Sequence, residues 1–443
     1  MRLPRPDLAA ATPYSFPKPA IDKTLENGLR LLAFDLPGQY IISCQLVLPV
    51  PLAAEKIDGI STLLLNVASS GTKQHPGIAF SEAIEDQGAS FGGRATHNAT
   101  FARLDVAAGR LEAALPLLVE VVGSPELATA EIDRQKVLHV AQIEQINSNP
   151  SYIASKAFNK AVFSANMRLS RAKLGDVKQI ENITRSDLEE IHGLWSPEAA
   201  TLVLAGELPE NVESIVADAF IPWDGKASQK VDAEPIVERS QEPVVWVVDR
   251  PDAVQANVQI GGVGIGRRDE RWAALRVACL AVGGSFGSRL NMLLREELGY
   301  TYGARLSPSP VGEKGTFNFS SSFRTDVAAD AIKRTTEALR LDKPLCANEI
   351  TDAKNYLLGI SPMVYDTSAA IASQAAVLAS VGLDTDYLAR LDEQVANITP
   401  DLANRAFREV VLPSRCSVIA VGDGKKLLPA LQDAGLDASL VEI

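Results

Sequence analysis

Five short motifs run down this chain twice, in the same order, each pair separated by 211 to 218 residues. Asp35-Leu36-Pro37 returns as Asp249-Arg250-Pro251, and the stretch from Gly88 to Arg94 returns as Gly299 to Arg305. Glu131-Ile132 returns as Glu349-Ile350, Ile153-Ala154-Ser155 as Ile371-Ala372-Ser373, and Gly206-Glu207 as Gly422-Asp423. One match of this length is chance. Five in one order, almost evenly offset, mark an internal duplication. A chain of 443 residues is in any case too long for one ordinary core, so two domains of roughly 200 residues each are expected.

Each copy reads the same way. Two alternating apolar stretches come first (Leu29 to Phe34 and Ile41 to Leu48 in copy one), as paired strands do. An apolar helix follows, at Ile57 to Ala68 and again at Arg271 to Val282. A second helix stops at the shared glycine, Gly88 or Gly299. Two more strands, a run of long amphipathic helices and a closing strand complete the copy. Strands at both ends with helices massed between them predict an α+β fold: two tandem homologous domains, each a mainly antiparallel sheet covered on one face by helices. We place the first domain at residues 14–221 and the second at 244–443, joined by a polar linker at 222–243 that holds three prolines.

The formal charge of −12 argues against a nucleic-acid partner, since phosphates need a basic face. No apolar run reaches the roughly 20 residues of a membrane span; the best, Ile41 to Ala54, is broken by Gln45, Pro49 and Pro51. The N-terminal stretch is interrupted by Pro4, Pro6, Pro13 and Pro17 and lacks a secretory core. The four cysteines lie far apart, as core thiols of a reducing compartment do. The expected location is cytoplasmic. Gly283-Gly284-Ser285-Phe286-Gly287 lacks the Lys-Ser/Thr of a phosphate loop, and Ser288 has no His–Asp pair to activate it.

The segment from Gly284 to Pro310, GSFGSRLNMLLREELGYTYGARLSPSP, carries a specific likeness. It resembles the second-domain signature of the pitrilysin/insulinase superfamily of zinc peptidases, in its bacterial, mitochondrial-processing-peptidase-like branch. The likeness extends from about Tyr14 to Ile443 and implies that the two domains form half of a clam-like chamber. The family sets an arginine and a tyrosine seven positions apart, beside the substrate backbone and the developing oxyanion. Here they are Arg295 and Tyr302. Fixed N–H donors with permanent charge, joined by a phenol, favour a tetrahedral transition state over a planar amide. Both should face the inter-domain cavity, Arg295 from a helix and Tyr302 from the first residues of a strand, on the same face as Ala304. Phe91 should occupy the matching place in copy one.

The other half of the family's site is missing. Active members carry His-x-x-Glu-His on the first helix: two imidazoles one turn apart, with the general-base carboxylate beside them. Those positions hold Thr62, Leu65 and Asn66. The third ligand position falls near Ala141 or Gln142, with Glu144 close by. His75, His97, His139 and His192 are never three or four residues apart, so no metal is expected in this chain. The resemblance implies a non-zinc subunit that pairs with a His-x-x-Glu-His homologue, with zinc in that partner and a peptide or unfolded polypeptide as substrate. A homodimer is possible in isolation. A catalytically inactive structural or peptide-binding relative is the other reading. Retention of Arg295 and Tyr302 favours the first.

Overall fold

A computed structural model of the protein describes residues 11–240 and 242–443. The first ten residues of the proline-broken N-terminal stretch lie outside them. The chain forms two compact units: Pro17–Ser240 joined by Tyr365–Thr385, and residues 242–364 and 386–443 joined by 11–16.

The first unit is built on a six-stranded sheet. Its strands are β1 (Ile21–Thr24), β2 (Arg30–Asp35), β3 (Ile41–Leu48), β4 (Ser90–Ala95), β5 (Thr100–Ala107) and β6 (Thr201–Gly206), in the order β1-β2-β6-β3-β5-β4. The second unit repeats the plan with β7 (Val245–Asp249), β8 (Gln255–Ile265), β9 (Ala304–Val311), β10 (Lys314–Arg324), β11 (Ser417–Gly422) and β12 (Ala438–Val441), in the order β12-β7-β11-β8-β10-β9. Five strands correspond one to one, down to the single parallel pair that each copy shares, β2 with β6 and β7 with β11. Two sequences reaching the same non-sequential order by chance is implausible, so the topology bears out the duplication. Only the sixth strand differs. β1 precedes its partner and runs antiparallel to it, whereas β12 arrives from the C-terminal end and runs parallel.

The sheets bury apolar side chains against the helices, as strand alternation requires. In the first unit, Leu31, Ala33, Ile42, Cys44, Leu46 and Leu48 join Leu63, Leu64 and Val67 of the helix Ile60–Ala68 in one core. That helix starts later than its apolar pattern suggests, because Gly59 must turn the chain with φ of +88°. A Cβ there would lie 2.2 Å from the Leu174 carbonyl oxygen, so only glycine fits.

The opposite face of the first sheet is also covered at its centre, by an element that lies far away in the chain. Helix Ser368–Ser380, from the second copy's sequence, packs across β3 and β6. The Ser368 hydroxyl donates to the Ile41 carbonyl at 2.7 Å, and Gln39 Nε2 donates to the Asp366 carbonyl at 3.1 Å. Alanines at 372, 375 and 376 are buried there and let the helix approach closely. Among the described residues, Trp272–Glu297 is long and apolar enough to cross a bilayer by composition, but most of it is core of the second unit.

Candidate functional site

Arg295 lies in a π-helical turn, Met292–Glu297, which widens the backbone by one residue. The Leu298 N–H reaches the Leu293 carbonyl at 3.0 Å, and the Tyr300 N–H closes the turn on the Leu294 carbonyl at 2.8 Å. Gly299, with φ of +62°, then reverses the chain. The Arg295 guanidinium stacks 3.9 Å from the centre of the Phe286 ring and sits 3.5 Å from Glu296. Stacking of this kind fixes the plane of the guanidinium while leaving its edges available to a ligand.

Tyr302 does not belong to the strand. β9 begins at Ala304, and Tyr302 stands in the loop before it, 96% exposed, where Ala304 is buried. The two do not share a face as alternation would have them, and Phe91, inside β4 opposite Leu104, is not its counterpart in the ladder. The reason is local bonding that strand patterning does not register. Buried Asn291 accepts from the Ala304 N–H and donates to the Ala304 carbonyl, both at 2.8 Å, and so fixes where pairing begins. Asn291 also donates to the Ser285 carbonyl at 2.9 Å, tying the preceding loop to the same point. The hydroxyls of Thr301 and Ser321 both donate to the Gly303 carbonyl, bracing the loop from the other side. Its tip is thus held while the Tyr302 phenol projects outward, its hydroxyl meeting no partner among the described residues.

Tyr300 is turned to another task. Its phenol donates to Asp330 at 3.0 Å, a carboxylate held below its usual range by Arg334 and by this bond. Bonding to that carboxylate also pushes the phenol's own pKa up. Arg295 and Tyr302 line one groove of about 650 Å³ together with Phe286, Arg305 and Tyr356. Sequence reasoning missed Asn291. Its signal was an asparagine inside an otherwise apolar helix, where a buried amide must find partners.

Thr62, Leu65 and Asn66 lie on the helix Ile60–Ala68 of the first unit. They do not fit a zinc ion. They offer no imidazole and no carboxylate, and Leu65 is buried against β4, where a Cβ on Gly93 would come within 2.8 Å of its Cδ2. The position of the family's general base is therefore filled with hydrocarbon. Ala141, Gln142 and Glu144 are exposed on the helix Thr129–Asn147. Three of the four histidines are engaged separately: His75 with Glu120 at 2.8 Å, His139 with the Leu174 carbonyl at 2.8 Å, and His192 with the Val122 carbonyl at 2.9 Å. Burial lowers the pKa of His97, His139 and His192 and keeps them neutral. Among the described residues, no three His, Cys, Asp or Glu side chains gather closely enough to share a metal ion.

Two family models match the chain. Residues 52–174, with Thr62, Leu65 and Asn66, match insulinase (peptidase family M16), and residues 182–357, with Arg295 and Tyr302, match the peptidase M16 inactive domain. This chain belongs to the insulinase family. Similar M16 relatives include the non-peptidase homolog YmxG of Helicobacter pylori, 26% identical over 316 residues and covering 70% of this chain and 72% of that one. An uncharacterized zinc protease of Streptomyces coelicolor is 25% identical over 435 residues, 93% of this chain and 91% of its own. The crystal structure of a peptidase M16 inactive domain from Pseudomonas fluorescens superposes with a TM-score of 0.81 at 23% identity, covering 91% of this chain and 97% of that one. A chain of complex III from Candida albicans gives 0.77 at 16% identity, covering 95% and 100%. The relatives' names point both ways, to protease and to non-peptidase. The residues of this chain decide for an inactive, peptidase-like M16 member, since the first helix lacks every group of the zinc motif.

Proposed function

We propose that this M16 member binds peptide segments in the groove of its second unit and does not hydrolyse them. The observation that carries the reading is the dedicated support of Arg295 and Tyr302. One is stacked on Phe286, the other is held out by a braced loop, and both line the same groove. A side chain kept only for packing needs neither the stack nor the brace. Guanidinium and phenol together offer the donors that a peptide carbonyl accepts.

The retained pair also favours a second reading, in which the chain is the non-zinc subunit of a heteromeric metallopeptidase. There Arg295 and Tyr302 would stabilise the oxyanion formed on the zinc of a His-x-x-Glu-His partner. Arg295→Ala and Tyr302→Phe separate the two readings. Under the first, Arg295→Ala weakens peptide binding by the full chain by about 1.5–3 kcal/mol, the usual worth of a hydrogen bond to a charged group. Under the second, it lowers kcat of the reconstituted pair roughly 100- to 1000-fold while assembly is unchanged. Wild-type binding and wild-type turnover in both variants would leave the chain as scaffold and refute both.

A further inference from the structure

The groove around Arg295 and Tyr302 differs in charge from the protein that carries it. Arg276, Arg295 and Arg305 line it, with no aspartate or glutamate among the lining residues, in a chain of formal charge −12. Two of these charges are shared. Arg295 lies 3.5 Å from Glu296, outside the lining, and Arg276 acts on half-buried Asp392. Arg305 is exposed on β9. Exposed apolar surface flanks the cations, with Phe286 69% and Tyr356 49% accessible. A groove of one sign on a molecule of the other concentrates ligands of the molecule's own sign there.

The edge of the sheet at this groove cannot serve as a pairing template. β9 is the last strand in its sheet, so every second residue turns its backbone N–H and carbonyl outward. The Asn291 clamp on both backbone groups of Ala304 shows which residues these are: 304, 306, 308 and 310. Ala304 is therefore occupied. Leu306 is covered by the turn at Gly283 and Gly284, whose added Cβ atoms would lie 3.4 Å from its nitrogen and 3.1 Å from its oxygen. Pro308 and Pro310 have no N–H to offer. With the outward backbone groups of β9 occupied, covered or missing, recognition in this groove must come from side chains.

We propose that the groove selects acidic peptide segments, taking their carboxylates on Arg305 and Arg295 and their apolar neighbours against Phe286 and Tyr356. This rests on the reading of the groove as a peptide site and adds the class of peptide. Arginine forks suit carboxylates because two parallel N–H donors meet two oxygens.

Fluorescence anisotropy with the full chain tests it, using three labelled peptides of matched length: one rich in Asp and Glu, its Asn/Gln isostere, and a Lys-substituted version. The acidic peptide should bind at least about tenfold more tightly than the isostere, by an amount that shrinks as salt is raised. Arg305→Gln, at an exposed position, should remove roughly tenfold from acidic-peptide binding and leave the isostere unaffected. Equal binding of the isostere, lost in Arg295→Ala, would overturn the acidic preference while the peptide site stands. Tighter binding of the Lys peptide, or an oligonucleotide bound as well as the acidic peptide, would also overturn it. No peptide bound, or binding indifferent to both substitutions, would overturn this proposal and the peptide site together.

Discussion

Arg168→Ala is expected to destabilise the first unit by about 3–5 kcal/mol. Arg168 and Glu55 form a buried pair, with side chains 2% and 0% exposed and Arg168 Nε 2.6 Å from Glu55 Oε2. Both ends are satisfied. Arg168 also donates to the carbonyls of Ala172 and Lys173, and Glu55 accepts the backbone N–H groups of Gly59 and Ser61. Removing the guanidinium strands a carboxylate in the core at the start of the very helix that carries Thr62, Leu65 and Asn66. Arg171→Ala supplies the contrast. Its guanidinium is 41% exposed, and its partner Asp58, 13% exposed, also meets Arg168 Nε at 3.1 Å and so keeps a cation when Arg171 is removed; the loss should be less than about 1 kcal/mol. Chemical denaturation would rank the two, and hydrogen exchange over Ile60–Ala68 would place the loss. Equal effects would show that the buried pair does not set the helix start.

Restoring the family's carboxylate at position 65 should also be costly. Leu65→Glu puts an ionisable group in place of a leucine that is 3% exposed, against Gly93. A loss of more than about 3 kcal/mol is expected near neutral pH. Leu65→Met keeps shape and polarity and should lose less than about 1.5 kcal/mol. The sign of the pH dependence follows. Burial raises the folded-state pKa of the new carboxyl, so the penalty is full above that value. It fades as pH falls towards the ordinary glutamate value of about 4.3, where both states carry the proton. A Leu65→Glu variant as stable as the parent at neutral pH would mean that the pocket still accommodates a charged base.

Much of this was legible in the sequence for identifiable reasons. Strand alternation and the glycine stops act locally, so β3 and β5 fall where the pattern puts them, and Gly88 and Gly299 both turn with positive φ. The loss of the zinc motif is a matter of residue identity and needs no fold. What stayed hidden depends on partners distant in sequence. Arg168 sits in a stretch that reads as charged surface, and its partner Glu55 is 113 residues away. Helix Ser368–Ser380 carries the motif it shares with Pro150–Val162, so its own pattern cannot say that it covers β3 and β6. Tyr302 was expected in a strand because Thr301, Tyr302 and Gly303 continue the pattern of β9. The bonds that keep it out come from Asn291 and Ser321 on neighbouring segments and from the hydroxyl of Thr301 beside it.

If the chain holds peptides at Arg295 and Tyr302 without cutting them, as proposed, bound peptides stay whole. The most direct test incubates the purified full chain with a complex peptide mixture in zinc-containing buffer and identifies bound and free peptides by mass spectrometry. Peptides should be retained intact by the wild-type chain, with retention lost in Arg295→Ala. Cleavage products that grow with time and with chain concentration, and that a chelator abolishes, would contradict it.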